Sequence, residues 1–337
     1  MNLKNKNFIN TQDWTLDELD YILDLASAFK NNSLSKSLAG KSIALLFFNP
    51  SLRTRTSFEI AMHRLGGFAS IIQPGKDAWP IETREGIVMD QEAEEHIKEA
   101  VRVISSFYDA IAVRAFPKFQ NWQEDKQDSV LTAITRWALK PVINMETIIH
   151  PLQELALMMT IKSHFSDPRG KKFLLTWTYH PKGLNTAVAN SAALISTRFG
   201  MDVTILRPQG YDLDPQFIET AKANAASYGN AVTITDNIEQ AYHCADFVYA
   251  KSWGSLNYFG NWEEEKNIRR GLKHFIVDSD KMKLTNNAFF SHCLPMRRNV
   301  KATDEVIDSE YSLIYEEAEN RLYTTCALLT AIFGGAL

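Results

Sequence analysis

The chain has 337 residues, 45% hydrophobic and 23% charged, with a formal net charge of −4 at pH 7. That length exceeds one ordinary hydrophobic core, so two domains are expected, and the lack of any basic run excludes a nucleic-acid footprint and points to a small-molecule partner. Neither a signal-type apolar core near Met1 nor a bilayer-length apolar run is present, which predicts a cytoplasmic location, and Cys244, Cys293 and Cys326 are too few and too scattered for a disulfide framework or a zinc cluster.

In chain order, Thr15-x-x-Glu18 reads as a capping box opening a helix on which Leu16, Leu19, Leu23 and Ala26 recur at helical spacing. Ser42 to Phe48 is an unbroken apolar run of strand length, as expected for a strand covered on both faces. Directly after it, Pro50 and Ser51 suit a helix start, and Phe58, Ile60, Ala61, Met62 and Leu65 fit the helix. Ser51, Arg53, Thr54, Arg55 and Thr56 therefore stand at a helix N-terminus just past a strand end. Backbone N–H groups, the positive dipole end, hydroxyls and two guanidinium groups would converge there, a set suited to a phosphate.

Phe68 to Gln73 is predicted as a second strand, Gly75 to Pro80 as a loop holding Trp79, and Glu92 to Phe107 as an amphipathic helix with Glu94 on it. Ala110 to Ala115 is a strand ending near Arg114, and Pro141 to Met145 a strand running out at Glu146. His150-Pro151-Leu152-Gln153 opens the next helix and sets His150 and Gln153 on one face near its start. A second alternating series follows: strands at Lys172 to Thr178, Val203 to Pro208, Ala231 to Thr235, Phe247 to Lys251 and Ala288 to Leu294, with helices at Asn185 to Phe199 and Pro215 to Tyr228. The last helix runs from about Glu317 through Arg321 to Phe333. Such alternation predicts an α/β chain of two doubly wound parallel-sheet domains, with ligands beyond the carboxyl ends of the strands. The glycine fingerprint of a dinucleotide fold is missing around Gly170, which disfavours a dehydrogenase.

Ser51-Leu52-Arg53-Thr54-Arg55, Arg114, His150-Pro151-Leu152-Gln153, His292-Cys293-Leu294-Pro295 and Arg321 stand in the order of the aspartate/ornithine carbamoyltransferase family, which the chain resembles over nearly its whole length. The resemblance implies a carbamoyl phosphate-binding domain at 1–150 plus 318–337 and an amino-acid-binding domain at 151–317. It also implies a homotrimer with active sites at subunit boundaries. Ser51, Leu52 through its backbone, Arg53 and Thr54 would hold the phosphate, and Arg321 would complete the carbamoyl phosphate site. Arg114, His150 and Thr54 would polarise the carbamoyl carbonyl, and Gln153 with Cys293-Leu294 would receive the amide end. Trp79, reaching a neighbouring subunit, would close over the ligand. The chemistry asks for such groups: a neutral amine attacks the carbonyl carbon, charge grows on its oxygen, and phosphate leaves. No cofactor or metal is called for.

Departures from the best-known members bear on the amine. Ornithine carbamoyltransferases carry an acidic Asp-x-x-Ser-Met-Gly loop for the α-ammonium, whereas this chain has Lys251-Ser252-Trp253-Gly254. A lysine there repels an ammonium and attracts a carboxylate, so a blocked α-amine is expected. The Lys251 region, Trp79-Pro80 and the His292 to Asn299 run resemble the N-acylornithine branch, within which Glu94 stands where succinyl-specific members have proline. A carboxylate there would repel a succinyl carboxylate and tolerate an acetyl methyl. The partners expected from the resemblance are carbamoyl phosphate and N-acetyl-L-ornithine, with Glu146, Asn185, Lys251, Leu294 and Arg297 on the latter. Lys301 resembles a lysine that can be carboxylated in that branch. N-succinylornithine or ornithine as substrate, or a non-catalytic carbamoyl phosphate-binding paralogue, remain as alternatives.

Overall fold

The computed structural model describes residues 1–32 and 36–335. It divides into two compact units: Met1–Lys118, Gln123–Leu155 and Asn320–Leu337 form the first, and Phe119–Trp122 with Ala156–Glu319 the second. Residues 336 and 337 of the carboxy-terminal segment assigned from sequence lie outside the described residues.

The first unit contains α1 (Leu16–Asn31), β1 (Ser42–Phe47), α2 (Arg53–Arg64), β2 (Phe68–Ile72), the two-residue strands β3 (Ile81–Glu82) and β4 (Glu95–His96), α3 (Ile97–Phe107) and β5 (Ala110–Arg114). It continues with α4 (Trp122–Asp125), which begins on a residue of the second unit, then α5 (Ser129–Trp137), β6 (Val142–Glu146) and the start of α6 (Pro151–His164). α1 begins as its capping box requires: Thr15 Oγ1 accepts from the Glu18 N–H at 3.2 Å and Glu18 Oε2 accepts from the Thr15 N–H at 2.8 Å. The sheet order is β2-β1-β5-β6, all parallel. Leu46, Ile111, Val113 and Val142 on the sheet pack with Ile97 and Val101 of α3 and Leu131 and Ile134 of α5 into a core closed to water.

α13 (Ile314–Phe333) ends in this unit, where Cys326, Ala327, Leu328, Leu329 and Ile332 are fully buried. The Ile332 carbonyl accepts from the Asn5 N–H at 2.9 Å, and Asn320 Oδ1 accepts from Lys30 Nζ at 2.8 Å.

The second unit contains β7 (Lys172–Trp177), α7 (Ala187–Arg198), β8 (Asp202–Leu206), α8 (Pro215–Ala226), β9 (Val232–Thr235), α9 (Ile238–Tyr242), β10 (Phe247–Lys251), α10 (Trp262–Arg269), α11 (Ser279–Met282), β11 (Phe289–Ser291) and α12 (Asp304–Ile307). Its sheet is also all parallel, in the order β11-β10-β7-β8-β9. Both sheets are thus doubly wound, as the alternation predicts.

Three expectations need correction. The helix predicted from Glu92 begins only at Ile97, with His96 Nδ1 accepting from the Lys98 N–H at 3.2 Å, so Glu94 stands in an exposed connection just before β4. The strand predicted to Leu294 stops at Ser291, and Leu294 itself adopts φ +53°, which a strand cannot hold. The final helix starts at Ile314, three residues before the predicted Glu317.

Candidate functional site

In each sheet the chain reverses its direction of winding once. In the first, β1 is followed by β2 on one side and, after α3, by β5 on the other. In the second, β7 leads to β8 and β9 on one side and then to β10 on the other. A reversal opens a crevice at the carboxyl ends of the two central strands, where α/β sheets bind ligands. Most of the candidate residues gather at these two places, and Trp79 and Glu94 stand apart from them.

At the end of β1, Ser51 Oγ accepts from the Thr54 N–H at 3.2 Å and caps the start of α2. Thr54 is fully buried, and its Oγ1 accepts from Arg321 Nη2 at 2.6 Å, so a residue of α13 is brought to the start of α2. The Leu52 side chain is exposed, which leaves its backbone as the part of it that belongs to this turn. Arg53 is partly buried. Arg55 departs from the expected convergence: it is exposed and pairs along the helix with Glu59 at 3.3 Å.

At the end of β5, Arg114 is buried and ion-paired through Nη1 to Glu146 at the end of β6. His150 Nε2 lies 3.5 Å from the same Glu146 oxygen, so one carboxylate is shared between a guanidinium and an imidazole. The Phe48 N–H donates to the Arg114 carbonyl at 3.0 Å, and the Phe116 N–H donates to Asn49 Oδ1 at 2.7 Å, which ties the phosphate-type turn to β5. The Gln153 N–H donates to the His150 carbonyl at 2.9 Å in the first turn of α6, and both side chains are buried. A guanidinium has five N–H donors, so Arg114 can serve Glu146 and still polarise a ligand oxygen. Trp79 stands apart on an exposed loop, its Nε1–H donating to Glu95 at 2.8 Å.

At the second reversal, Lys251 ends β10 and donates to Cys293 Sγ at 3.6 Å. His292 Nδ1 accepts from the Leu294 N–H at 2.8 Å, and its Nε2 lies 3.1 Å from Nζ of the buried Lys301. Because Nδ1 is an acceptor, the proton of a neutral ring sits on Nε2, and Lys301 Nζ must accept it as a neutral amine. Burial, with the nearby Lys251 charge, lowers the Lys301 pKa to about 7, in keeping with that assignment. Leu294 has committed its N–H to His292, so its backbone offers a ligand the carbonyl.

Arg297 Nε–H donates to His180 Nε2 at 3.2 Å. Desolvation lowers the His180 pKa to about 4, so the ring accepts that bond in its neutral form. His180 has no sequence signal beyond its place in a Pro/Gly loop after a strand, and sequence reasoning missed it. Asn185 is buried, and its Oδ1 accepts from the Ala187 N–H at 3.1 Å at the start of α7.

The amino-acid sequence matches two family models: the carbamoyl-P binding domain of aspartate/ornithine carbamoyltransferase over residues 6–163, and the Asp/Orn binding domain of the same family over residues 181–332. The chain is 57% identical to the N-acetylornithine carbamoyltransferase of Xanthomonas campestris pv. campestris over 332 residues, 98% of each chain. Its fold matches the crystal structure of acetylornithine transcarbamylase complexed with acetylcitrulline at a TM-score of 0.95 and 56% identity, over 97% of this chain and 99% of that one. The same values hold for a variant of that enzyme complexed with carbamyl phosphate and N-succinyl-L-norvaline.

Proposed function

The chain belongs to the aspartate/ornithine carbamoyltransferase family, and from that premise we propose that it transfers the carbamoyl group of carbamoyl phosphate to the δ-amine of N-acetyl-L-ornithine, giving N-acetyl-L-citrulline and phosphate. The observation that carries this reading is the identity of 57% with an N-acetylornithine carbamoyltransferase along virtually the full length of both chains.

The proposed roles follow the geometry. Phosphate sits on the start of α2, held by Ser51, the Leu52 backbone, Arg53, Thr54 and Arg321, where N–H groups and the helix dipole favour an anion. Arg114, His150 and Thr54 face the carbamoyl oxygen as it gains charge, and Gln153 and the Leu294 carbonyl, beside Cys293, receive the amide protons. Glu146 orients Arg114 and His150 through its shared carboxylate and stands toward the incoming amine. The δ-nitrogen lone pair attacks the carbonyl carbon, the C–O bond to phosphate breaks, and the amine proton departs to solvent or to phosphate. Asn185, Lys251 and Arg297 hold the acylornithine, Lys251 and Arg297 as cations for its carboxylate.

Lys301, neutral at its burial site, takes up carbon dioxide as an N-carboxylysine: its lone pair adds to the carbon, one N–H proton leaves, and the new anion lies near Lys251. Glu94 selects against a succinyl group by charge. Trp79 completes the carbamoyl phosphate site of a neighbouring subunit in a homotrimer. The reaction belongs to arginine biosynthesis and to the cytoplasm. No helix among the described residues is long and apolar enough to cross a membrane.

The test is citrulline-product formation from carbamoyl phosphate with ornithine, N-acetylornithine and N-succinylornithine offered in parallel. Turnover is expected with N-acetylornithine, and Glu94→Pro should extend it to N-succinylornithine. Preference for free ornithine would overturn the role of Lys251, and turnover of none of the three would favour a carbamoyl phosphate-binding protein without catalysis.

A further inference from the structure

α10 reads as a solvent helix, Trp262-Glu263-Glu264-Glu265-Lys266-Asn267-Ile268-Arg269, yet two of its charges are inside. Glu265 and Arg269 are at most 2% exposed and form an ion pair one helical turn apart. A buried pair repays its desolvation poorly, so its retention asks for a use beyond stability. Arg269 has one: Nη2 donates to the Pro181 carbonyl at 3.1 Å, in the loop that carries His180 and Asn185.

The other end of α10 grips the same loop and a second one. A Cβ added at Gly183 would come within 2.6 Å of the Trp262 ring, and one added at Gly254 within 2.7 Å, so the indole lies directly on both backbones. The Gly254 N–H donates to the Leu184 carbonyl at 2.9 Å, which joins the two loops beneath the ring. The Trp262 N–H donates to the Phe119 carbonyl at 2.7 Å, and the Phe259 ring packs edge-on at 5.1 Å, so the indole cannot swing away. The loop of Gly254 begins at Lys251, and Ser252 Oγ donates to the Tyr179 carbonyl at 3.3 Å.

We infer that α10 is a positioning clamp for the acylornithine: Arg269 and Trp262 fix the Tyr179–Asn185 and Lys251–Gly254 loops and so set the affinity for the amine substrate. The inference rests on the functional reading above. Trp262, Glu265 and Arg269 belong to the second unit, whereas Ser51–Thr54, Arg114, His150 and Arg321 belong to the first, so the affinity for carbamoyl phosphate is expected to be independent of the clamp.

The test compares wild type with Trp262→Phe, with Gly183→Ala, and with the double variant Glu265→Leu/Arg269→Met, which strands no buried charge. Steady-state kinetics with N-acetylornithine should show KM raised about fivefold to tenfold, the equivalent of one lost hydrogen bond, with kcat within about twofold. Carbamoyl phosphate Kd, measured by calorimetry without the amine, should stay within about twofold. Should the double variant fail to fold, the two single variants read the same quantities. An unchanged KM, or parallel losses for both substrates, overturns the clamp while leaving the functional reading intact. A wild type that carbamoylates no ornithine derivative overturns the reading and the clamp with it.

Discussion

The amine of Lys301 is buried beside an imidazole whose other nitrogen is already an acceptor. A lysine whose pKa is lowered to about 7 is largely a free-amine nucleophile at pH 8, and carbon dioxide is a small electrophile that leaves a negative charge where Lys251 can meet it. With 13C-bicarbonate at pH 8, wild type should give a carbamate carbon resonance that Lys301→Arg lacks; a spectrum free of that resonance would remove the modification. Other individual side chains show how far composition and spacing reach. Arg114 and His150 were legible because each closes or follows a strand, but their common partner Glu146 is a matter of sheet register, since β5 and β6 are paired 32 residues apart. Arg55 departs from its expected place for the opposite reason. Two arginines spaced by one residue leave a helix in different directions, and only Arg53 remains partly buried.

Secondary-structure elements were legible where a period or an unbroken apolar run marked them, as in β1 and α1. They were missed where polarity concealed them. α10 has three successive glutamates and no apolar stripe, so nothing in its sequence announces that Glu265 and Arg269 face inward. α3 is shorter than its sequence predicts because the acidic residues before it suit a first turn, while His96 in extended backbone supplies the cap. α5 holds a different surprise at its start. Asp128 takes φ +49°, ψ +47°, and its carboxylate, turned onto the Thr147 hydroxyl, is pushed up to about 7 by desolvation. Between pH 3.8 and 7 the native state therefore keeps a proton that the unfolded chain has lost, so stability falls as pH rises through that window and the cost is complete above it. Asp128→Asn keeps an acceptor for Thr147 and tolerates the left-handed backbone. It should raise Tm by about 1–3 °C at pH 8 and by nothing at pH 3.5; a difference independent of pH would show that ionisation of Asp128 is not the cause.

At the scale of the whole molecule, the proposed trimer would draw on side chains that one chain leaves exposed. Trp79 is 56% exposed and Leu52 76% exposed, so both side chains are open to a neighbouring chain in the proposed trimer. Light scattering should return the mass of three chains. A monomer with full activity would remove Trp79 from the site. The discontinuity of the first unit has a consequence for biogenesis. Its apolar interior is finished by Cys326, Leu328, Leu329 and Ile332, which leave the ribosome only after the whole of Ala156–Glu319 has been made. At a synthesis rate of about 5–20 residues per second, the nascent amino-terminal sheet waits on the order of ten seconds or more with an oily trough open to water. The middle segment can fold during that interval, the first cannot finish, and a chain cut short before its last helix would be a ready client for chaperones and proteases.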